Sequence, residues 1–485
     1  GGGGGGGGGG GTAGIVSLRG SGVHEVAMHF AEAPVSDYLS HAVECAWRLH
    51  VSPEEGDILL FLTGQQEVDT AVSLLTDRAL AERPRRRLLA LPLYGSLSHA
   101  AQMRAFAPPP PGARKVIVAT SIAETSVTID GVVFVVDCGW TKQRQQNPST
   151  LHEALVVVPE SRANARQRAG RAGRVRPGAC YVLMTEASYH GLPAHNPPEM
   201  QRCSLAAVTL QLKALGIQNV LRFDFLSPPP PESLSRALEL LFALGALTEA
   251  GELTQPIGDR MARLPLEPQL AAMLLAAEEE ACVEEAAAVA ALLSVQSVFT
   301  VSRAKELEAA RAPFAVYEGD SVTLLNVHRR FLRQLKRHGS ARAGSWCRRH
   351  RLNERVLERC SHVKAQLLRQ LARLGVASCS AAERPDLGGT TGTDGVRRAI
   401  VRGYFVSAAQ VVTGGEYAAT HTSAALSLNP NSALWRAPPE WIVFHETAFT
   451  AEKEYVLSAT KIEREWLTEL KGPSDFFEVV SQQRT

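Results

Sequence analysis

Apolar and polar positions follow two regimes along this chain. Between about Val23 and Leu183, short runs apolar on both faces recur at Asp57–Leu62, Lys115–Thr120 and Val132–Asp137. Runs of strand length with no polar face predict a parallel sheet covered by helices on both sides. Amphipathic stretches at Gln66–Arg78 and Ser98–Phe106 predict some of those helices, and the Pro108–Pro111 run ends the second. An open sheet of this kind holds ligands at the carboxyl ends of its strands, so ligands are expected at that edge.

From about Glu199 the pattern becomes helical. Met200–Leu215 is amphipathic and ends at Gly216, Pro228–Pro231 makes a second break, and Ser233–Leu244 predicts another helix. A hairpin-like stretch at Thr248–Thr254 follows, so that helices and a short β wing predict a winged-helix module. Gln269–Leu293 is rich in Ala and Leu and predicts packed helices, as does Gly319–Leu374. Past Gly388 short β-type runs return at Val396–Val406, Ala424–Leu428, Trp441–His445 and Tyr455–Ala459, a spacing that suits a small barrel such as an OB-fold.

Composition narrows the class. The chain has 485 residues, a length for three or four domains, and a net charge of only +2, so affinity for nucleic acid must come from local patches. Its 8 cysteines are scattered without a CxxC pair or a zinc-like spacing, which predicts reduced intracellular thiols and no disulfide framework. The longest nearly uniform apolar run, Ala286–Val295, is too short for a bilayer span, and no signal peptide is visible; no membrane partner is expected. Gly1–Gly11 is a homopolymer that cannot form a core, and the absence of an initial Met points to an incomplete chain.

Two segments carry chemistry. In Gln167-Arg-Ala-Gly-Arg-Ala-Gly-Arg174, residues Gln167, Arg171 and Arg174 are spaced i, i+4 and i+7, which on a helix puts them on one face. The segment accepts two glycines, and Arg162–Arg176 contains six arginines and no acid. Guanidinium groups fork onto phosphate oxygens and can neutralise charge in a phosphoryl-transfer transition state. The second segment, Ala119–Gly131, starts at the end of one buried strand and closes onto the next. It offers the hydroxyls of Thr120, Ser121, Thr125, Ser126 and Thr128 with the carboxylates of Glu124 and Asp130. Hydroxyls and loop N–H groups at a strand end can hold phosphate or sugar oxygens, although such a loop by itself also serves simply to cap a helix. A third feature, His328–Arg351, holds nine Lys and Arg and no acid; it lines an RNA channel or forms one solvated helix face.

Together these segments resemble the DEAH-box ATP-dependent RNA helicases of superfamily 2, from about His24 to Leu470, with details similar to the splicing-associated branch. Leu59–Glu67 resembles motif IV, residues 119–131 motif V and 167–174 motif VI. The resemblance implies an α/β RecA-like parallel-sheet domain followed by winged-helix, helical ratchet-like and OB-fold modules. The corresponding division is a Gly-rich tail at 1–21, the second RecA-like domain at 22–186, the winged helix at 187–265, the ratchet at 266–378, the OB-fold at 379–475 and a tail at 476–485.

The resemblance also implies roles. Arg171 and Arg174 act as arginine fingers on the γ-phosphate of ATP and Gln167 helps to place the attacking water. Gly170, Thr128 and Asp130 sit at the nucleotide, with Asp130 meeting the ribose. Phe106 stacks on adenine, while on the residues alone it reads equally as core. Thr63, Gly64, Thr120, Ser121, Thr125 and Ser126 track the RNA backbone, with Ser121 where the family usually has asparagine. Lys142–Val157 corresponds to the strand-separating β-hairpin. Asn429–Leu434, Thr450, Lys453 and Tyr455 resemble OB-fold positions that meet RNA or activating partners. RNA, a G-patch-type activator and spliceosomal proteins are the implied partners, and the nucleus is the implied location.

No GxxxxGK[ST] string and no Asp-Glu-Ala-His occurs in the sequence. In the family both belong to the first RecA-like domain, which holds the phosphate cradle and most of the Mg²⁺ site. Two readings remain open: a piece of a helicase that is inactive alone, or a non-catalytic module that binds RNA or a G-patch protein.

Overall fold

A computed structural model describes residues 24–470 apart from 96, 98, 125–127, 147–152, 175, 296, 302–303, 381–392, 413, 421–424 and 450–452. Thr125, Ser126 and Thr450, and both expected tails, lie outside the described residues.

The first part alternates strands and helices: β1 (Val26–Phe30), α1 (Tyr38–Val51), β2 (Asp57–Phe61), α2 (Gln65–Glu82), β3 (Arg87–Leu93), α3 (His99–Phe106), β4 (Ala113–Ala119) and β5 (Val132–Asp137). An antiparallel hairpin of β6 (Trp140–Gln146) and β7 (Glu153–Pro159) follows, then α4 (Arg162–Ala169), β8 (Gly178–Val182) and α5 (Glu186–Gly191). Six strands form one sheet in the order β1-β8-β5-β2-β4-β3, and the pairings between them are parallel. Alternation along each strand explains why the runs are apolar throughout. Ile58, Leu60, Val116 and Val118 face one core with α1 and α2, while Leu59, Phe61, Ile117 and Ala119 face a second with α3 and α4.

The helical part contains α6 (Ala206–Ala214), α7 (Pro231–Ala243), α8 (Ile257–Ala262), α9 (Pro268–Glu279), α10 (Val283–Leu293), α11 (Ala304–Arg311), α12 (Asp320–Arg349) and α13 (Glu354–Arg373). The expected wing is reduced to a single bridge, Leu247 to Leu253. Helix α12 is broken at Gly339, whose φ of 73° is left-handed, so the basic stripe runs round a corner.

The chain ends in α14 (Asp394–Tyr404), β9 (Ala408–Val411), β10 (Tyr417–Ala419), β11 (Ala425–Leu428), β12 (Trp441–Val443), β13 (Glu446–Phe449), β14 (Glu454–Leu457), β15 (Thr460–Lys461) and α15 (Arg464–Thr468). Here the structure corrects one expectation. Val396–Val406 is not a strand but mostly helix α14, whose buried Val396, Ile400 and Tyr404 recur every four residues. Its β-branched residues favour strands, but the helical period of burial against α9 prevails.

Two joints tie these parts together. The Asp320 carboxylate at the start of α12 accepts bonds from Ser432 Oγ at 2.8 Å, Ala433 N at 2.7 Å and Ala459 N at 3.1 Å, all in the OB module. Strand β7 pairs in parallel with β13, matching Ala154 with Thr447 and Leu155 with Ala448, so the hairpin extends the OB sheet.

Candidate nucleotide and RNA faces

The arginine-rich segment is built from a short helix and a turn. Ser161 caps α4 by accepting from Asn164 N at 3.3 Å. The helix then stops at Ala169, with Gly170 as its C-cap. Beyond it Arg171 N donates to Arg168 O and Ala172 N to Ala169 O, each at 3.0 Å, a tighter turn than an α-helix makes. The expected single helical face is therefore corrected: Gln167 lies on α4, whereas Arg171 and Arg174 leave the turn beyond its end. Gly173 explains part of the glycine content. A Cβ there would lie 2.5 Å from the His24 carbonyl oxygen, and His24 N donates to Gly173 O at 2.8 Å.

Arg168, which the sequence did not single out, anchors this turn. It is 1% exposed and contacts Asp137 at 2.7 Å, Glu160 at 2.9 Å and Glu124 at 3.4 Å, with its guanidinium 5.2 Å from the Phe61 ring centroid. Burial opposes the Arg168 charge, but Asp137 and Glu160 outweigh it and raise its pKa. Burial, and then the Asp137 charge, push the Glu160 carboxyl far above the ordinary carboxylate range. Asn164 Nδ2 donates to Glu124, so the same carboxylate also holds the start of α4. The cluster fixes α4 against the ends of β5 and β7.

From that anchor, Arg171 donates to the Glu124 carbonyl and Arg174 to the Thr128 hydroxyl. Burial, and then the positive charge of Arg174, lower the Arg171 pKa. Two guanidinium groups near one another, bonded here to a carbonyl and a hydroxyl, fit an anion between them. Thr128, Asp130 and Gln167 are exposed, and Gly170 is half-buried. Phe106 is half-buried against the core that holds Ile129, Ala169 and Ala172. Its position at the end of α3 is fixed by buried Lys115, which donates to Ala105 O and Ala107 O at 2.9 Å each and lies 3.8 Å from Asp57. Nothing in the sequence pattern marked Lys115, because its contacts join the end of α3 to β4 and β2.

The RNA-type residues lie on another edge. Thr63 and Gly64 follow the carboxyl end of β2, and Thr120 and Ser121 follow that of the adjacent β4, with Leu62 N donating to Ala119 O at 2.9 Å. Thr63 is buried and gives both its N–H (3.0 Å) and its hydroxyl (2.8 Å) to Glu67, which also accepts from Tyr38 at 2.6 Å. Ser121 is exposed and opens a short 3₁₀ turn. The stretch after β4 then crosses the domain. Asp130 and Gly131 precede β5, where Asp57 N donates to Gly131 O at 2.8 Å at the amino edge of the sheet. Thr128, Asp130 and Arg174 thus gather toward the amino edge and Thr63, Gly64, Thr120 and Ser121 at the carboxyl edge. Of the two sets of candidate residues, one lies at the carboxyl edge and the other does not.

In the OB module Lys453 donates to Glu416 at 2.9 Å, and Tyr455 on β14 pairs with Ser427 and Ala448. Both are remote in the fold from the fingers, joined to the first domain through β13 and β7. Of the basic stripe, His328 is buried, Arg329 pairs with Glu285 at 2.9 Å, and Arg333, Lys336, Arg337 and Arg342 are exposed around Gly339. Among the described residues no group of three or more His, Cys, Asp or Glu side chains is placed to hold a metal ion, and no helix is long and apolar enough to cross a membrane.

Comparison with known proteins matches this arrangement module by module. Residues 41–176 match the helicase conserved C-terminal domain, 237–266 the winged-helix part of the helicase-associated domain (HA2), 267–352 its ratchet-like part, and 396–473 the oligonucleotide/oligosaccharide-binding (OB)-fold. The chain is 44% identical over 451 residues to the human protein named "Probable ATP-dependent RNA helicase DHX35", covering 92% of this chain and 62% of that protein. It is 44% identical over 462 residues to the Pongo abelii protein of the same name (94% and 62%). Against the Caenorhabditis elegans homolog it is 39% identical over 463 residues (95% and 61%). The chain therefore spans about three fifths of the length of these relatives. With a RecA-like parallel sheet, winged-helix, ratchet-like and OB modules in that order, and this likeness along most of its length, the chain corresponds to the C-terminal portion of a DEAH-box helicase.

Proposed function

We propose that this chain is the RNA-holding and nucleotide-sensing portion of an ATP-dependent RNA helicase that remodels RNA or RNA–protein complexes. The observation that carries the proposal is the loop after β4. One of its ends supplies Thr120 and Ser121 beside Thr63 and Gly64, and the other supplies Thr128 and Asp130 beside Arg174. Both ends belong to one segment of 11 residues, 120–130, so the two faces lie within 11 residues of each other along the chain.

ATP, when bound, supplies the γ-phosphoryl group whose transfer to water drives the cycle. The residues here fit its polyphosphate: Arg171 and Arg174 offer positive charge and fork donors. Gln167 orients the attacking water, Asp130 accepts from ribose hydroxyls, and Phe106 stacks on the base. On the family resemblance the phosphate cradle and most of the Mg²⁺ site belong to a P-loop domain, and no GxxxxGK[ST] string occurs in this sequence. On this reading the chain alone binds RNA without turning over ATP.

The resemblance of the chain in its details to the splicing-associated branch supports work on spliceosomal RNA–protein complexes in the nucleus, with a G-patch-type activator as partner. The test of the core proposal is binding of a fluorescent single-stranded RNA by the purified chain. The expected result is binding that weakens linearly in log–log form as salt rises, with little dependence on base sequence. Absence of binding at low salt would overturn the proposal.

A further inference from the structure

The basic stripe of α12 turns its corner in open solvent. Residues 336–342 are exposed at every position, along a stretch where a packed helix would bury about two or three side chains. At its middle Gly339 has left the helical conformation, with φ 73° and ψ 173°, and a Cβ built on it would meet nothing within 4 Å. No Asp or Glu occurs between Asp320 and Glu354. Arg329 and Arg351, on either side of the corner, pair with Glu285 and Glu306. Among the described residues Lys336, Arg337 and Arg342 have no carboxylate partner, so the corner is an uncompensated patch of positive charge.

Ser340 follows the break directly. It is exposed, its hydroxyl makes no hydrogen bond among the described residues, and Lys336 and Arg337 stand four and three positions before it. Protein kinases choose substrates partly by such charge patterns, and they grip the acceptor in an extended segment. A second serine provides a contrast. Arg342 stands three positions before Ser345, but Ser345 lies inside the helix, between buried Gly344 and half-buried Trp346. The Ser345 hydroxyl donates to Ala341 O at 3.2 Å and accepts from Arg348 at 2.9 Å. Only Ser340 joins the charge pattern to a backbone already free of the helix.

We propose that Ser340 is a phosphorylation site for an arginine-directed serine kinase, and that its phosphate switches off the positive corner of α12. In the transfer the Ser340 Oγ attacks the γ-phosphorus of ATP, and the bond from that phosphorus to the bridging oxygen breaks. ADP leaves, and the hydroxyl proton passes to the base of the kinase. The product carries a charge of about −1.5 to −2 beside Lys336, Arg337 and Arg342, and offers their donors phosphate oxygens. Most of the free positive charge of the corner is thereby cancelled, and its hold on polyanions weakens.

The test incubates the purified chain with ATP, Mg²⁺ and the catalytic subunit of the cAMP-dependent protein kinase. Modified serines are then mapped by tandem mass spectrometry. Phosphate should appear on Ser340 and not on Ser345, and Arg337→Ala should slow its incorporation several-fold. The phosphorylated chain should leave a heparin column at lower salt than the untreated chain, whereas kinase treatment should not shift Ser340→Ala. Both variants should melt at the wild-type temperature, because both side chains are exposed. Absence of phosphate from Ser340, or labelling of Ser345 to the same extent, overturns the site. Phosphate on Ser340 without a change in heparin elution overturns the switch.

Discussion

Arg168 donates to Asp137 at 2.7 Å in an interior where the arginine is 1% exposed and the aspartate is fully buried. This pair, with Glu160 and Glu124 around it, holds the helix from which the finger turn departs. Arg168→Ala leaves the buried Asp137 carboxylate without its counter-charge, and breaking one side of a buried pair costs about 3–5 kcal/mol. Urea unfolding followed by hydrogen exchange in β5 and α4 should show that loss. A loss below about 1 kcal/mol would mean that the cluster does not anchor the turn.

Glu160 gives the domain a pH dependence of defined sign. Its folded-state pKa lies above the unfolded value of 4.5, so its contribution is fully present below that value and is lost as pH rises toward the folded one. Glu160→Gln removes the ionisation and keeps the shape. The variant should match the wild type in stability near pH 5 and exceed it increasingly toward pH 9. A constant difference across that range would contradict the assignment.

The two glycines of the finger turn should respond differently to alanine. At Gly173 the new methyl meets the His24 backbone oxygen at 2.5 Å, and one of the two segments must move. Overpacking of this kind costs about 1–3 kcal/mol. At Gly170 the nearest atom is the Arg166 oxygen at 3.3 Å, in the last turn of α4. Thermal melting should rank Gly173→Ala well below Gly170→Ala; equal melting temperatures would remove the close-approach explanation for Gly173.

The pairing of β7 with β13 predicts that the hairpin is held by the OB module. Proline at Ala448 removes a ladder donor and crowds both neighbouring strands. Amides of residues 154–158 should then exchange faster while those of β2 and β4 stay protected. Unchanged exchange in β7 would show that β6 alone stabilises it.

How much of this was legible in the sequence depended on whether neighbours in the chain or across the fold set the structure. Strand β5 has the bounds expected for Val132–Asp137, because two covering layers bury every position and make all but Asp137 apolar. Val396–Val406 misled because β-branched and aromatic residues make up six of its eleven positions, while the burial of every fourth position in α14 records a partner, α9, that lies over a hundred residues earlier. The Gln167–Arg174 spacing was legible and its helical continuation was not, since Gly170 ends α4 and the approach to His24 shapes the turn at Gly173. Of the candidate residues, Thr128 and Arg174 do meet, and Arg171 reaches the same loop. Lys115 and Arg168 carried no local signal, since each contacts residues of other elements brought near by the fold.

The central claim is that these arginines form one wall of a nucleotide site whose other wall belongs to another domain. Phosphate release from ATP and Mg²⁺ by the purified chain, with saturating single-stranded RNA, tests it most directly. Release should stay at the enzyme-free background although RNA is bound. RNA-stimulated turnover by these residues alone would contradict the claim.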